Sequence, residues 1–143
     1  MKKQDGRICI ILLNWNGKKD TLECLESLGK VRSPRFFILI VDNGSTDGSQ
    51  EYCKLNYPWV RLIELPKNVG FAAGVNAGII ESKGTYIILL NNDTEVDPTW
   101  LSELHSAIEA HPEASFFACK MLDFKDHSIL DSAGDALTWS GNP

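Results

Sequence analysis

Carboxylate and amide side chains end the fourth apolar run of this 143-residue chain. The run Tyr86–Leu90 predicts a fully buried strand, and it is followed at once by Asn91, Asn92, Asp93, Glu95 and Asp97. Polar groups are costly to hold beside a core unless they bind something. Oxygen ligands suit a hard divalent cation, and Mg²⁺ is typically held by one or two carboxylates together with the phosphates of a substrate. The segment therefore indicates a metal and diphosphate site, with Asp93 as the principal candidate and Asp42 as the second.

Three other apolar runs end in loops of similar chemistry. The first run is followed by "NWNG" at 14–17, the second by "DNGSTDGS" at 42–49 and the third by "PKNVGFAAG" at 66–74. Each loop taken singly has an ordinary structural explanation, because Asn, Asp, Gly and Ser are common in turns and helix caps. Parallel sheets bind ligands beyond the carboxyl ends of their strands. We expect all four loops to meet at that edge, and their convergence favours a binding site.

The elements that must position these loops alternate between strand and helix. Buried strands are predicted at Ile8–Leu13, Phe36–Val41, Val60–Leu65, Tyr86–Leu90 and Ser115–Met121. Helical spacing of apolar residues predicts three helices, which contain Leu22–Leu28, Phe71–Ile79 and Leu101–Ile108, and a shorter helix is expected near Gly48–Leu55. Asp97 suits the N-cap of the last helix and Pro98 its first position. The alternation predicts an α/β fold, a Rossmann-like and mostly parallel sheet with helices on both faces, followed after Met121 by a hairpin or loop-rich tail.

Other motifs that bind nucleotides or metals do not occur. Gly70, Gly74 and Gly78 lie four apart, hence on one helix face, and we interpret Gly78 as a close contact with a strand. The spacing differs from the dinucleotide fingerprint, and the chain has no P-loop. The three histidines lack a metal-ligand spacing. No two of the four cysteines form C-x-x-C, so we expect reduced and mostly buried thiols.

Composition limits the class of protein. The net charge of −5 and the sequence pI near 5.1 argue against a nucleic-acid partner bound through a basic surface. We find neither a secretory signal nor an apolar run that could span a bilayer. The length fits one domain over residues 1–143. We therefore expect a cytoplasmic protein. A longer enzyme that contains this chain is expected to associate peripherally with the inner face of the membrane.

Taken together, the four loops resemble the inverting glycosyltransferases of family 2. The matching stretches are "ICIILLNWNG", "VDNGSTDGS", "NVGFAAGVNAGI" and "LLNNDTEVDPTWL", which occur in the family's order and cover nearly all of the chain. The resemblance implies the glycosyltransferase A fold, which binds nucleotide sugars. The "LNWNG" and "LNNDT" forms are most similar to rhamnosyltransferase-type enzymes that build bacterial surface polysaccharides.

The resemblance also implies roles for individual residues. Donor-binding positions would be Asn14, Trp15, Asn16, Asp42, Ser45, Asn68, Gly70, Asn76, Asn91 and Asn92. Asp42 would accept a hydrogen bond from the imide N–H of a uracil or thymine ring. Asp93, with Glu95, would bind Mg²⁺ or Mn²⁺. The family's D-x-D motif has Asn91 as its first residue here, which leaves less negative charge to hold the cation.

The implied reaction transfers a sugar from a nucleotide-diphosphate donor, such as dTDP-rhamnose or a UDP-sugar, to a saccharide or lipid-linked acceptor. In the family the general base lies beyond the equivalent of Pro143, so no catalytic residue is assigned and we expect a donor-binding part that is inactive or weakly active alone. The alternative is a noncatalytic sugar-nucleotide-binding module. A nucleotidyltransferase is disfavoured, because such enzymes usually carry a glycine-rich basic loop, whereas "NWNGKKD" offers only Lys18 and Lys19.

Overall fold

The computed structural model describes residues 8–32 and 34–132, which form two compact units on either side of the Thr99–Trp100 boundary. The first unit contains β1 (Ile8–Asn14), α1 (Lys18–Leu28), β2 (Phe36–Asp42), α2 (Ser49–Asn56), β3 (Arg61–Glu64), α3 (Phe71–Glu81) and β4 (Tyr86–Asn91). The second contains α4 (Trp100–Ala110), β5 (Met121–Leu122) and β6 (Leu130–Ser132). The first four predicted strands and the four predicted helices are thus found in the structure, although β3, which was predicted to be buried, has no buried residue. The described helices include none long and apolar enough to cross a membrane.

The sheet of the first unit is parallel throughout, in the order β3-β2-β1-β4. Its register aligns the strand ends, since Asn14 pairs with Asp42 and Asp42 with Glu64, while Leu13 pairs with Asn91. The loops that follow the four strands therefore leave from one edge, as the sequence predicted.

Helices cover both faces of the sheet. Gly78 of α3 lies so close to the sheet that a Cβ atom there would be 2.8 Å from Ile11 and 2.9 Å from Val41, which confirms the interpretation of Gly78 as a strand contact. Side chains alternate between faces along a strand, so Asn14 points to the other side. There it accepts a hydrogen bond from Thr21 of α1. The α/β prediction with helices on both faces is confirmed.

The core is centred on β1 and β2. Residues 8–12 of β1 and 38–41 of β2 are at most 1% exposed, and α1 adds Cys24, Leu25 and Leu28. Cys53 is also buried and Cys119 is exposed, so most of the thiols are buried, as the sequence predicted. The prediction of a fully buried strand at Tyr86–Leu90 is wrong. Because β4 is an edge strand of the described sheet, Ile87 and Leu89 are 41% and 54% exposed.

The chain from Asp97 onward differs from the sequence prediction in two places. The Asp97 carboxylate accepts the backbone N–H of Thr99 at 2.7 Å in a turn, and α4 begins only at Trp100, so Pro98 is not its first residue. The predicted strand Ser115–Met121 is wrong, since residues 115–120 have no regular structure and Phe116 is 93% exposed. An apolar run forms a strand only where a neighbouring strand pairs with it, and within the described residues only the end of this run is paired. That end, Met121, belongs to the short β5–β6 hairpin, which confirms the predicted hairpin, while residues 133–143 lie outside the described part.

Candidate functional site

Asn14, the last residue of β1, joins the first two loops from inside the protein. Its side chain is 1% exposed. The Nδ2 group donates to Asp42 Oδ2 at 2.7 Å, to Ser49 Oγ at 2.9 Å and to Ser45 Oγ at 3.1 Å, and Oδ1 accepts the Thr21 hydroxyl at 3.0 Å. The predicted pocket-lining side chain is therefore held by the protein itself, and it fixes the geometry of the loops around it.

Asp42, at the end of β2, is equally enclosed. It is 1% exposed, and its Oδ1 atom accepts the backbone N–H of Ser45 at 2.8 Å and Nε2 of Gln50 at 2.6 Å. Burial alone would raise the pKa of the Asp42 carboxyl, but hydrogen bonds from Ser45, Gln50 and Asn14 outweigh it and hold the pKa below its ordinary value. Asp42 is thus charged at neutral pH. Both of its oxygens are engaged by interior donors, and the predicted hydrogen bond to a base stays a prediction.

Asn43 is a site residue that sequence reasoning missed. It is 2% exposed and ties the second loop to the third. Its Oδ1 atom accepts the backbone N–H of Val69 at 2.9 Å, and Nδ2 donates to Asn68 Oδ1 at 3.1 Å and to the Gly70 carbonyl at 3.2 Å. The signal was present in "VDNG", because adjacent residues at a strand end point to opposite faces. A polar residue beside Asp42 therefore needed its own set of partners.

The rim of the site is built by the exposed part of the first loop. Asn16 adopts a left-handed conformation at φ 52°, which asparagine tolerates better than most residues. Its backbone N–H donates to Ser45 Oγ at 2.9 Å, and its Oδ1 accepts the backbone N–H of Thr46 at 2.8 Å. Trp15, next to it, is 57% exposed. The structure thus brings Asn14, Asn16, Asp42 and Ser45 together, as the sequence predicted.

The third loop offers open backbone at its end. Gly70 has φ 86°, and a Cβ atom added there would meet nothing within 4 Å. The Gly70 N–H donates to Asn68 Oδ1 at 2.8 Å, so these two predicted site residues lie together. Asn76 is exposed on α3.

The fourth loop carries the exposed carboxylates. Asp93 and Glu95 are both exposed, and Asn92 Nδ2 donates to the buried Thr21 hydroxyl at 2.9 Å. The Asn91 carbonyl accepts the Thr94 hydroxyl at 2.7 Å. Within residues 8–32 and 34–132 no three His, Cys, Asp or Glu residues are grouped so that they could hold a metal by themselves. An accessible carboxylate with a second acid two residues away fits a cation that takes most of its ligands from water and phosphate oxygens.

A parallel sheet with four interlocked polar loops at its carboxyl edge defines an α/β protein that presents a ligand site at the strand ends. Residues 8–129 match the family model of glycosyl transferase family 2. The chain belongs to that family.

Relatives and solved structures are consistent with this membership. The chain is 34% identical over 107 residues to the glycosyltransferase YibD of Escherichia coli, covering 73% of this chain and 31% of that protein. It is also 34% identical over 119 residues to the O-antigen biosynthesis protein RfbC of Myxococcus xanthus, covering 78% of this chain and 9% of that protein. The chain thus spans about a third or less of the length of these relatives.

Two solved structures share the fold. The S. aureus TarS 1-349 complex with UDP-GlcNAc superposes with a TM-score of 0.68 at 22% identity, over 74% of this chain and 32% of that one. The mannosyltransferase PcManGT from Pyrobaculum calidifontis, in complex with GDP-Man and Mn²⁺, gives 0.66 at 19% identity, over 74% and 33%. The predicted glycosyltransferase A fold is confirmed.

Proposed function

We propose that this chain binds the nucleotide-diphosphate sugar of an inverting glycosyltransferase. The observation that carries the proposal is the interlocking of the four loops at the carboxyl edge. Asn14 joins the first loop to the second, and Asn43 joins the second to the third. Asn92 of the fourth loop donates to Thr21, which in turn donates to Asn14. Such preorganisation reduces the conformational entropy lost when a ligand binds. The complexes of TarS with UDP-GlcNAc and of PcManGT with GDP-Man support a nucleotide-sugar ligand.

The chain's own residues would divide the donor between them. We propose that the exposed Trp15 and Asn16 and the open backbone at Gly70 would contact the base and sugar, while the buried Asp42 holds the loops in place. Asp93 and Glu95 would hold Mg²⁺ or Mn²⁺, which would neutralise charge on the leaving diphosphate.

In the proposed reaction an acceptor hydroxyl attacks the anomeric carbon from the face opposite the diphosphate. The new bond joins the acceptor oxygen to that carbon. The bond between the carbon and the diphosphate oxygen breaks, and the diphosphate keeps the electron pair. A base takes the hydroxyl proton. We propose no residue of this chain as that base. The relative named for O-antigen biosynthesis supports a saccharide or lipid-linked saccharide acceptor in surface polysaccharide synthesis. A dTDP-rhamnose or UDP-sugar donor and a cytoplasmic location stay predictions.

Thermal unfolding with added nucleotides tests the proposal. The chain is heated with dTDP, UDP or GDP, each with and without Mg²⁺ or Mn²⁺. A ligand at 100 times its dissociation constant adds about 2.7 kcal/mol of stability, which raises the Tm of a domain of this size by several degrees. We expect one nucleotide to stabilise the protein strongly only with metal, and Asp93→Ala to abolish that metal-dependent gain.

The matched control is Glu81→Ala. It removes an exposed carboxylate that pairs with Arg61 of β3, the edge strand on the other side of the sheet from β4. This variant should keep the full nucleotide shift, since an exposed ion pair contributes only about 0–1 kcal/mol of stability. A parent protein that no nucleotide stabilises would contradict the proposal. Equal losses in both variants would remove Asp93 from the metal site. Sugar transfer by a version extended past Pro143 separates an enzyme from a noncatalytic binding module.

A further inference from the structure

One face of α1 holds the segment that follows β4. Three small polar residues recur at a spacing of three along this helix and are all buried, namely Thr21, Cys24 and Ser27. Thr21 Oγ1 accepts from Asn92 Nδ2 at 2.9 Å, and Ser27 Oγ accepts the backbone N–H of Val96 at 3.2 Å. Between them, the Cys24 thiol lies 3.9 Å from the Asn91 carbonyl oxygen. Two helical turns of α1 thus contact Asn91, Asn92 and Val96.

Thr21 is the residue of this helix face that also contacts the first loop, which with the second and third loops forms the proposed nucleotide-binding loops. Its hydroxyl accepts from Asn92 and donates to Asn14 Oδ1 at 3.0 Å, a double role that a hydroxyl can fill and a methyl group cannot. Asn14 in turn donates to Asp42 Oδ2 at 2.7 Å. A continuous chain of side-chain hydrogen bonds therefore runs from the fourth loop, through Thr21, to the second loop.

The space at Gly17 is a second, independent indication that the Asn92 side chain has a defined position. A Cβ atom at Gly17 would lie 2.7 Å from Asn92 Nδ2, closer than nonbonded atoms approach, and 3.3 Å from Asn14 Oδ1, a tight contact. The absence of a side chain at Gly17 leaves room for Asn92 to reach Thr21. The Asn92 amide group is thus accommodated by two different elements, because the first loop leaves space for it at Gly17 and α1 supplies its hydrogen-bond acceptor at Thr21.

We infer that Thr21 is a positioning residue that fixes the fourth loop relative to the nucleotide-binding loops. The inference rests on the proposed function, because the residue after Asn92 is Asp93, the proposed ligand of the donor's cation. A donor that spans both halves of the site needs them at a set separation, and a site loosened by one missing supporting contact binds less tightly. Thr21 itself would contact no donor atom and would act through Asn92.

The test compares Thr21→Val, which keeps the shape and removes the hydroxyl, with Thr21→Ser, which keeps the hydroxyl. Affinities are measured for UDP, dTDP and GDP with Mn²⁺, and for UMP, dTMP and GMP without it. Loss of the two hydrogen bonds in Thr21→Val should reduce the preference for the Mn²⁺-bound diphosphate over the monophosphate about fivefold to tenfold. Thr21→Ser should retain the parent preference. Asn92→Ala should lose as much as Thr21→Val, and the double variant should lose no more than either.

An NMR measurement on the nucleotide-free protein provides a second readout. The Asn92 side-chain amide signal should move toward the position of a free amide in Thr21→Val and stay in place in Thr21→Ser. Equal losses of diphosphate and monophosphate affinity, additive effects with Asn92→Ala, or an unmoved amide signal would overturn the inference. If the parent binds none of the six nucleotides, the proposed function fails, and the amide signal alone then decides whether Thr21 holds Asn92.

Discussion

At the scale of single residues, the site depends on buried polar groups whose partners all lie within the protein. Asp42 illustrates the consequence, since a carboxylate that is 1% exposed is stable there only because Asn14, Ser45 and Gln50 donate to it. Charge-assisted hydrogen bonds of this kind each contribute about 1.5–3 kcal/mol. The residue that the sequence marked as a ligand contact is therefore also a major determinant of the loop structure.

Stability should depend on pH through Asp42. Its pKa in the folded protein lies below its ordinary value, because hydrogen bonds outweigh burial. Below the ordinary Asp pKa of about 3.9 the unfolded chain binds more protons than the folded one, so this contribution to stability is full above that pH and is lost as the pH falls through the folded-state pKa. We expect Asp42→Asn to be less stable than the parent by about 2 kcal/mol at pH 7. The difference should narrow progressively below about pH 4.

Urea unfolding of both proteins between pH 7 and pH 2.5 measures this difference. The exposed Asp131 provides the control, because Asp131→Asn should leave the free energy of unfolding within about 0.5 kcal/mol of the parent at pH 7. A gap between Asp42→Asn and the parent that stays constant down to pH 2.5 would mean that the carboxylate charge does not contribute to folding.

The residues that sequence reasoning missed share a physical cause. The polar types at the strand ends predicted where the site lies, and the structure does bring Asn14, Asn16, Asp42 and Ser45 together. Residue types do not specify which polar group bonds to which, because one loop sequence permits many pairings. Asn43 and Thr21 could be assigned only once the neighbouring loop and strand were in place.

At the scale of elements, α3 is positioned by the small residues on its inner face. A Cβ at Gly78 would meet two branched side chains, at 2.8 Å from Ile11 Cγ2 and 2.9 Å from Val41 Cγ2. These methyl groups are attached directly to the Cβ atoms of their residues and cannot swing away as a longer side chain would. Four-residue glycine spacing thus predicted the close helix–sheet contact, although it could not tell which strands were contacted.

Gly78→Ala should therefore destabilise the protein, although alanine favours a helix over glycine by about 1 kcal/mol. Overpacking a core typically costs about 1–3 kcal/mol, so we expect a net loss of about 1–2 kcal/mol in urea unfolding. Gly29→Ala is the matched control. It lies at the end of α1 with φ −63°, its nearest neighbours would be 3.4 and 3.5 Å away, and we expect it to be neutral or slightly stabilising. If Gly78→Ala proves as stable as Gly29→Ala, the close packing of α3 is not maintained in solution.

The errors in predicting strands also belong to this scale. Apolar runs correctly predicted buried strands at β1 and β2, which have neighbouring strands on both sides. Tyr86–Leu90 and Ser115–Met121 are both mainly apolar, yet one became an exposed edge strand and the other is mostly unpaired. An apolar run shows that a segment can pair and be covered. It does not show which other segment covers it, and that information lies in long-range contacts.

At the scale of the whole molecule, burial is distributed unevenly along the chain. Each amide of β1 lies between two paired strands, and residues 8–12 are at most 1% exposed. Residues 115–120 are all exposed and outside regular structure. Opening free energies within a protein range from near zero up to the global value, according to local burial and hydrogen bonding.

Hydrogen exchange should therefore differ sharply between these segments. We expect amides of β1 and of residues 38–42 to exchange only through global unfolding, and those of residues 115–120 to exchange at rates close to those of an unfolded chain. Mass spectrometry of deuterium uptake, peptide by peptide, measures both. Because β1 is already maximally protected, a bound nucleotide diphosphate with Mn²⁺ should slow exchange chiefly in the four loops. Strong protection of residues 115–120 without ligand would show that this apolar run is paired in solution, as its sequence had predicted. Ligand protection spread evenly over the molecule would point to general stabilisation rather than to a donor seated at the strand ends.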